Sequence, residues 1–201
     1  MVKIKICGIR SLDDISHVNE AGPDYIGFVF AESLRRVDYD TARILKDKLD
    51  GSIKAVGVFV NPSADLILKL CAEGIIDMIQ LHGNESEDFI GYLKKTVNQP
   101  IIKAVRLREG VAERYGNADY VLYDTYADGI YGGTGTCFDW NLIKDRDRPF
   151  FLAGGLNCVN VADAIISIRP YCVDISGGVE IDGRKNREKV IEIVNLIRGV
   201  E

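Results

Sequence analysis

Histidine is nearly absent: the 201 residues contain only His17 and His82. So few imidazoles argue strongly against a multi-histidine metal centre. No apolar run approaches the ~20 residues of a membrane-spanning helix, and the N-terminus lacks the apolar stretch of a signal peptide. The five cysteines are odd in number, widely spread and without C-x-x-C spacing, which excludes a disulfide framework and reads as a reduced, cytoplasmic protein. Basic residues are not in excess either: 25 Lys and Arg stand against 30 Asp and Glu, for a net charge of -5. That balance argues against nucleic acid as a partner, while leaving room for an anionic small molecule in a locally basic pocket. What remains is ordinary globular composition, 47% hydrophobic and 27% charged, which rules out disorder and coiled coil. The length suits one domain, spanning residues 1–201.

Eight short apolar runs recur along the chain: Ile4 to Ile6, Tyr25 to Phe30, Ala55 to Val60, Met78 to Leu81, Ile101 to Val105, Tyr120 to Tyr123, Phe150 to Ala153 and Cys172 to Ile175. Each is rich in β-branched or aromatic residues and closed by a polar residue or glycine, as a buried parallel strand should be. Their ends fall about 24 residues apart, the length of a compact βα unit. Helix signals lie between them. Ser11 and Asp14 form a capping box and Gly22-Pro23 a stop. Asn61 before Pro62, Asn84 before an acidic turn, and Asn157 before Val161 read as further N-caps. A last helix runs through Val190 and Ile197 to Gly199. The segment from Leu107 to Ala118 holds at most a short helix. An open doubly wound sheet would normally carry a glycine-rich dinucleotide turn after its first strand, and Cys7-Gly8-Ile9-Arg10 is not one. The even spacing predicts closure into an α/β, single-domain (β/α)8 TIM barrel of eight parallel strands.

In such a barrel the active site lies at the carboxyl ends of the strands, and alternation decides which side chains face in. With Ile4 and Ile6 toward the helices, Cys7 turns inward; the same parity turns Gln80, His82, Asp124, Asp174 and Ser176 inward. Each has a plainer reading: cysteine as a small core residue, Asp124 as a turn brace, His82 as a structural histidine. Cys71, Cys137, Cys158 and Cys172 read as packing or surface thiols. The glycines say more. Gly154-Gly155 follows the seventh strand and Ser176-Gly177-Gly178 the eighth, where a barrel brings backbone N–H groups onto a phosphate. A third cluster, Gly129 to Gly135, reads as a mobile segment that closes on ligand.

These stretches resemble a known family. Lys5-Ile6-Cys7-Gly8, Gly27-Phe28-Val29-Phe30, Gly57-Val58-Phe59-Val60-Asn61, Gln80-Leu81-His82-Gly83, Gly132-Gly133-Thr134-Gly135 with Phe138-Asp139-Trp140, Gly154-Gly155-Leu156 and Val173-Asp174-Ile175-Ser176 resemble phosphoribosylanthranilate isomerase, in order over nearly the whole chain. The resemblance implies an intramolecular oxidoreductase of aldose–ketose type in tryptophan biosynthesis. Its reaction is the cofactor-free Amadori rearrangement of N-(5-phosphoribosyl)anthranilate. It implies Cys7 as general base, Asp124 as general acid and Arg35 as the contact for the substrate carboxylate, with Arg36 next to it as the competing assignment. Gln80, His82 and Asp174 are expected to bind substrate. Gly154, Gly155, Ser176, Gly177 and Gly178 are expected to hold its phosphate. No metal, nucleic acid or membrane partner is expected, and the chain should be a monomer or homodimer.

Three positions depart from the family pattern: Leu34, Gly177 where a second serine is usual, and Cys158 where proline is common. The chemistry needs an acid near the furanose ring oxygen and a base at C2′. Asp124 must therefore carry a proton and Cys7 must lose one, with Arg10 a candidate for the nearby positive charge. Rival readings are fewer. A metal-dependent epimerase wants more ligands, a histidine-pathway isomerase wants an aspartate at the end of strand one, and a Schiff-base aldolase would have to use Lys103. A catalytically silent phosphometabolite sensor is the alternative outside enzymes.

Overall fold

The computed structural model describes residues 1–106, 116–124, 143 and 148–200. Eight parallel strands close into a barrel in sequence order. They are β1 (Lys3–Cys7), β2 (Tyr25–Val29), β3 (Lys54–Phe59), β4 (Met78–Leu81), β5 (Ile101–Arg106), β6 (Tyr120–Asp124), β7 (Phe150–Ala153) and β8 (Cys172–Ile175). The ring closes where β1 pairs with β8, Lys5 lying opposite Asp174. Helices α1 (Leu12–Ala21), α2 (Tyr39–Lys48), α3 (Ala64–Ala72), α4 (Glu87–Thr96), α5 (Val161–Ile168) and α6 (Arg187–Arg198) cover the outside. After β8 comes a 3-10 turn at Gly177–Val179. The small antiparallel pair β9 (Glu180–Ile181) and β10 (Arg184–Lys185) follows it.

Strand parity follows the sequence pattern. Ile4, Ile6, Ile79, Leu81, Tyr123, Val173 and Ile175 join the helices in one buried cluster. Val56, Met78, Ile102, Ala104, Leu122, Phe151, Ala153 and Cys172 form a second cluster inside the barrel. The lower end of that interior is plugged by aromatics: Tyr120 stacks on Tyr171 at 5.2 Å and meets Phe151 at 5.5 Å, while the Tyr25 and Tyr171 hydroxyls lie 3.0 Å apart. The interior is thus a packed core closed at the bottom, and the buried charges Lys5 and Asp174 lie above it.

Helix starts differ from expectation in three places. Ser11 caps α1 with the full capping box and Gly22 ends it at φ 66°. Asn61, however, does not cap α3, whose N-cap is Ser63. Asn61 takes the left-handed conformation at φ 48°, and its side chain accepts from the Asn84 N–H at 2.8 Å. Asn84 is in turn used in that bond, and Ser86 caps α4. Asn160 rather than Asn157 sits at the start of α5. Asparagine suits caps and left-handed turns equally, so the sequence alone does not separate them. The expected short helix after Leu107 lies largely outside the described residues, as do Cys137 and the Gly129 to Gly135 segment. Among the described residues no helix is long and apolar enough to cross a membrane.

Candidate active site

The polar side chains gather at the carboxyl ends of the strands. Cys7 ends β1, half-buried, and Gly27 of the neighbouring strand makes room for it: a Cβ there would stand 2.6 Å from Cys7 Sγ and 3.2 Å from Lys5 Nζ. Lys5 is fully buried and faces inward by the same parity as Cys7. Its ammonium donates to Asp174 Oδ2 at 2.8 Å. Burial would lower the Lys5 ammonium, but Asp174 and Cys7 outweigh it and raise it above its ordinary value, so it is charged. Burial pushes the Cys7 thiol up from 9.0, and Lys5 opposes that push without cancelling it, so the thiol of the free protein is shifted away from the thiolate expected from the sequence. The cations acting on Cys7 are therefore Lys5 and, less strongly, Lys185, and not Arg10, whose guanidinium bonds the carbonyls of Leu34 and Gly183.

Across the mouth, Asp124 ends β6 and its Oδ2 lies 3.1 Å from His82 Nε2. The amide nitrogen of Gln80 stands 3.1 Å from His82 Nδ1 and donates there, which leaves the hydrogen on Nε2 to bond Asp124. Gln80 and Asp174 are both buried, and among the described residues Gln80 Oε1 and Asp174 Oδ1 have no hydrogen-bond partner. Buried acceptors left unpaired are rare, and both belong to side chains of inward parity, on β4 and β8. Lys103 is not part of this group. It points to the helix side of β5, where its ammonium bonds Glu85 Oε2 at 2.7 Å and the Gly83 carbonyl at 2.5 Å. It braces the turn after His82 instead of offering a Schiff-base amine.

The two glycine loops touch. Gly154 and Gly155 have φ of 96° and 65°. A Cβ on Gly178 would come within 2.1 Å of the Leu156 carbonyl oxygen, so the loop after β8 packs directly on the loop after β7. Ser176 does not aim its hydroxyl freely: it donates to the Cys7 carbonyl at 3.1 Å, tying the end of β8 to the end of β1. Gly177 borders Arg35, whose Nη2 would be 3.9 Å from a Cβ at that position. Arg35 thus lies at the mouth, held by Glu180 through two hydrogen bonds of 2.7 and 2.6 Å. Arg36 is more than half exposed and pairs with Glu32 on the surface. Lys5, Glu180 and Lys185 are the members of this layer that sequence reasoning missed. Parity could have revealed Lys5, which alternates with Cys7.

A closed eight-stranded parallel barrel with its polar layer at the carboxyl ends of the strands defines the class: a TIM-barrel enzyme. Comparison with known proteins narrows it. Residues 4–196 match the family model PRAI, described as N-(5′-phosphoribosyl)anthranilate (PRA) isomerase. The N-(5′-phosphoribosyl)anthranilate isomerase of Endomicrobium trichonymphae is 48% identical over 200 residues, with both chains covered completely. Among solved structures, phosphoribosyl anthranilate isomerase from Thermotoga maritima is 35% identical with a TM-score of 0.87, covering 99% of this chain and 100% of its own. A structure of phosphoribosyl anthranilate isomerase in complex with reduced 1-(o-carboxyphenylamino)-1-deoxyribulose 5-phosphate is 32% identical, with a TM-score of 0.81 and coverage of 99% and 100%. The chain belongs to the N-(5′-phosphoribosyl)anthranilate isomerase family. It is an isomerase of tryptophan biosynthesis.

Proposed function

We propose that this chain converts N-(5′-phosphoribosyl)anthranilate to 1-(2-carboxyphenylamino)-1-deoxyribulose 5-phosphate by proton transfers alone. The observation that carries the reading is the placement of Cys7 at the end of β1 and Asp124 at the end of β6, facing one mouth. Asp124 protonates the furanose oxygen, and the ring opens to the iminium. Cys7, as thiolate, takes the C2′ proton to give the enol, which ketonises to product as C1′ gains a proton. Atoms and electrons balance within the substrate, so the rearrangement calls for no oxidant or reductant, and the proton transfers are assigned to Cys7 and Asp124.

The surroundings support this assignment. The Lys5 ammonium opposes the burial that raises the Cys7 thiol and is the cation a thiolate formed during turnover would face, and the Lys5–Asp174 pair brings that cation into the interior already compensated. The unpaired Asp174 Oδ1 and Gln80 Oε1 suit ribose hydroxyls as donors, and His82 hydrogen-bonds Asp124 beside them. The packed loops at Gly154, Gly155, Gly177 and Gly178 suit the phosphate, with Ser176 holding them against Cys7. Arg35 suits the anthranilate carboxylate. Assembly as a monomer or homodimer fits the family, in which the T. maritima protein is described as dimeric.

The test is turnover of the fluorescent substrate by protein dialysed exhaustively against EDTA. Dialysed and undialysed protein are expected to turn over at the same rate. Activity lost on dialysis and restored by one divalent ion would overturn the cofactor-free reading, and no turnover by folded protein would overturn the function.

A further inference from the structure

Glu180 opens β9, just past the glycine loop after β8, and stands between two cations. Its Oε1 accepts from Arg35 Nε at 2.7 Å and from Lys185 Nζ at 2.7 Å; its Oε2 accepts from Arg35 Nη2 at 2.6 Å. Lys185 Nζ also reaches the Ser176 carbonyl at 3.0 Å, so the cluster is anchored to the loop after β8. Glu180 is 8% exposed and Lys185 1%. Burial alone would raise the Glu180 carboxyl, but the hydrogen bonds from Arg35 and Lys185 hold it at about 2, so it is ionised at neutral pH. Two cations face one carboxylate, which leaves the cluster itself with a net positive charge.

Arg35 is fixed from below as well. Its side chain crosses Gly8, the residue after Cys7, so closely that a Cβ there would stand 2.5 Å from Arg35 Cδ. Gly8 has a φ of 86°, which favours glycine independently. A guanidinium carries five N–H donors on two usable edges. Glu180 occupies the side edge, Nε with one hydrogen of Nη2. The end edge, Nη1 with the other hydrogen of Nη2, has no partner among the described residues.

We propose that Glu180 is the positioning residue for Arg35: by occupying the side edge of the guanidinium it presents the end edge to the mouth, and so selects a substrate whose aromatic ring carries a carboxylate. This rests on the reading above that Arg35 receives that carboxylate. Lys185 holds Glu180 in register, and Arg36, paired with Glu32 on the surface, takes no part.

Glu180→Gln keeps the shape but removes the charge and one of the two acceptors. Its KM for phosphoribosylanthranilate should rise about tenfold or more while kcat stays within about twofold, because the lost contact lies away from the reacting atoms. The reduced product analogue should lose affinity by a similar factor. An analogue with aniline in place of anthranilate should bind parent and variant alike, and inorganic phosphate should compete with equal strength. In an Arg35→Met background the same change should cost less than about twofold, since the two residues act as one unit.

Equal weakening of both analogues, or of inorganic phosphate, would show that Glu180 serves the phosphate loops and would overturn the proposal. So would an unchanged KM, or a fall in kcat at constant KM. If Glu180→Gln fails to fold because Lys185 is left buried and unpaired, Glu180→Gln/Lys185→Met removes the pair together and faces the same outcomes. Arg35→Met with undiminished affinity for the carboxylated analogue would overturn the underlying reading itself. Weakened Arg35→Met beside a neutral Glu180→Gln would overturn only the positioning role.

Discussion

Cys7→Ala is expected to lower kcat by at least ~10²-fold, the lower range for a positioned base, with a much smaller change in KM. The side chain it removes is small, and its neighbours in the upper layer are tied to one another without it. Lys5 holds Asp174, and Ser176 bonds the Cys7 carbonyl rather than its thiol. The fold should therefore survive, and the loss should fall on chemistry. Cys7→Ser should be nearly as inactive, because a hydroxyl is a far weaker acid than even a thiol raised above 9.0 and yields far less anion at any given pH. The raised thiol adds a signed prediction. Iodoacetamide reacts with the thiolate, so alkylation of Cys7 in the free protein should be slow at pH 7 and rise with a midpoint above 9.0. Bound product analogue should protect. Near-parental turnover by Cys7→Ala would end its role as base.

Asp124→Asn should cost kcat a similar factor of at least ~10², about 2.7 kcal/mol of barrier. The amide keeps the size of the carboxyl, and its oxygen can still accept from His82 Nε2, 3.1 Å away from Asp124 Oδ2 in the parent. It carries no transferable proton, so ring opening loses its acid. Stopped-flow turnover with the fluorescent substrate measures this, and the analogue affinity of the variant should remain close to parental. A fully active Asp124→Asn would move the acid elsewhere, with His82 first in line because it shares the hydrogen bond.

The strands were legible because each is a short β-branched or aromatic run, and parity then placed Cys7, Gln80, His82, Asp124 and Asp174 at one mouth. What the sequence hid was pairing over long separations. Lys5 finds Asp174 169 positions away and Arg35 finds Glu180 145 positions away, and no local pattern announces either. Lys103, the amine that the rival Schiff-base reading would have needed, has the parity that sends it outward to Glu85. Asn61 and Asn84 misled as caps because each is spent on the contact between the β3 and β4 loops. Helix α2 carried its own signal, Asp38 accepting from the Thr41 N–H at 2.8 Å, yet its weakly apolar sequence does not stand out.

A crystal structure with the reduced product analogue bound tests the account most directly, since it sets every assigned group against the atom it is meant to serve. The account predicts the phosphate against the backbone of Gly154, Gly155, Gly177 and Gly178, and the aromatic carboxylate on the end edge of Arg35. It predicts C2′ within ~3.5 Å of Cys7 Sγ, a near-attack separation. The sugar oxygen that leaves the ring should lie within hydrogen-bond reach of Asp124. An analogue bound with its phosphate on other residues, or with C2′ turned away from Cys7 toward another base, would contradict it.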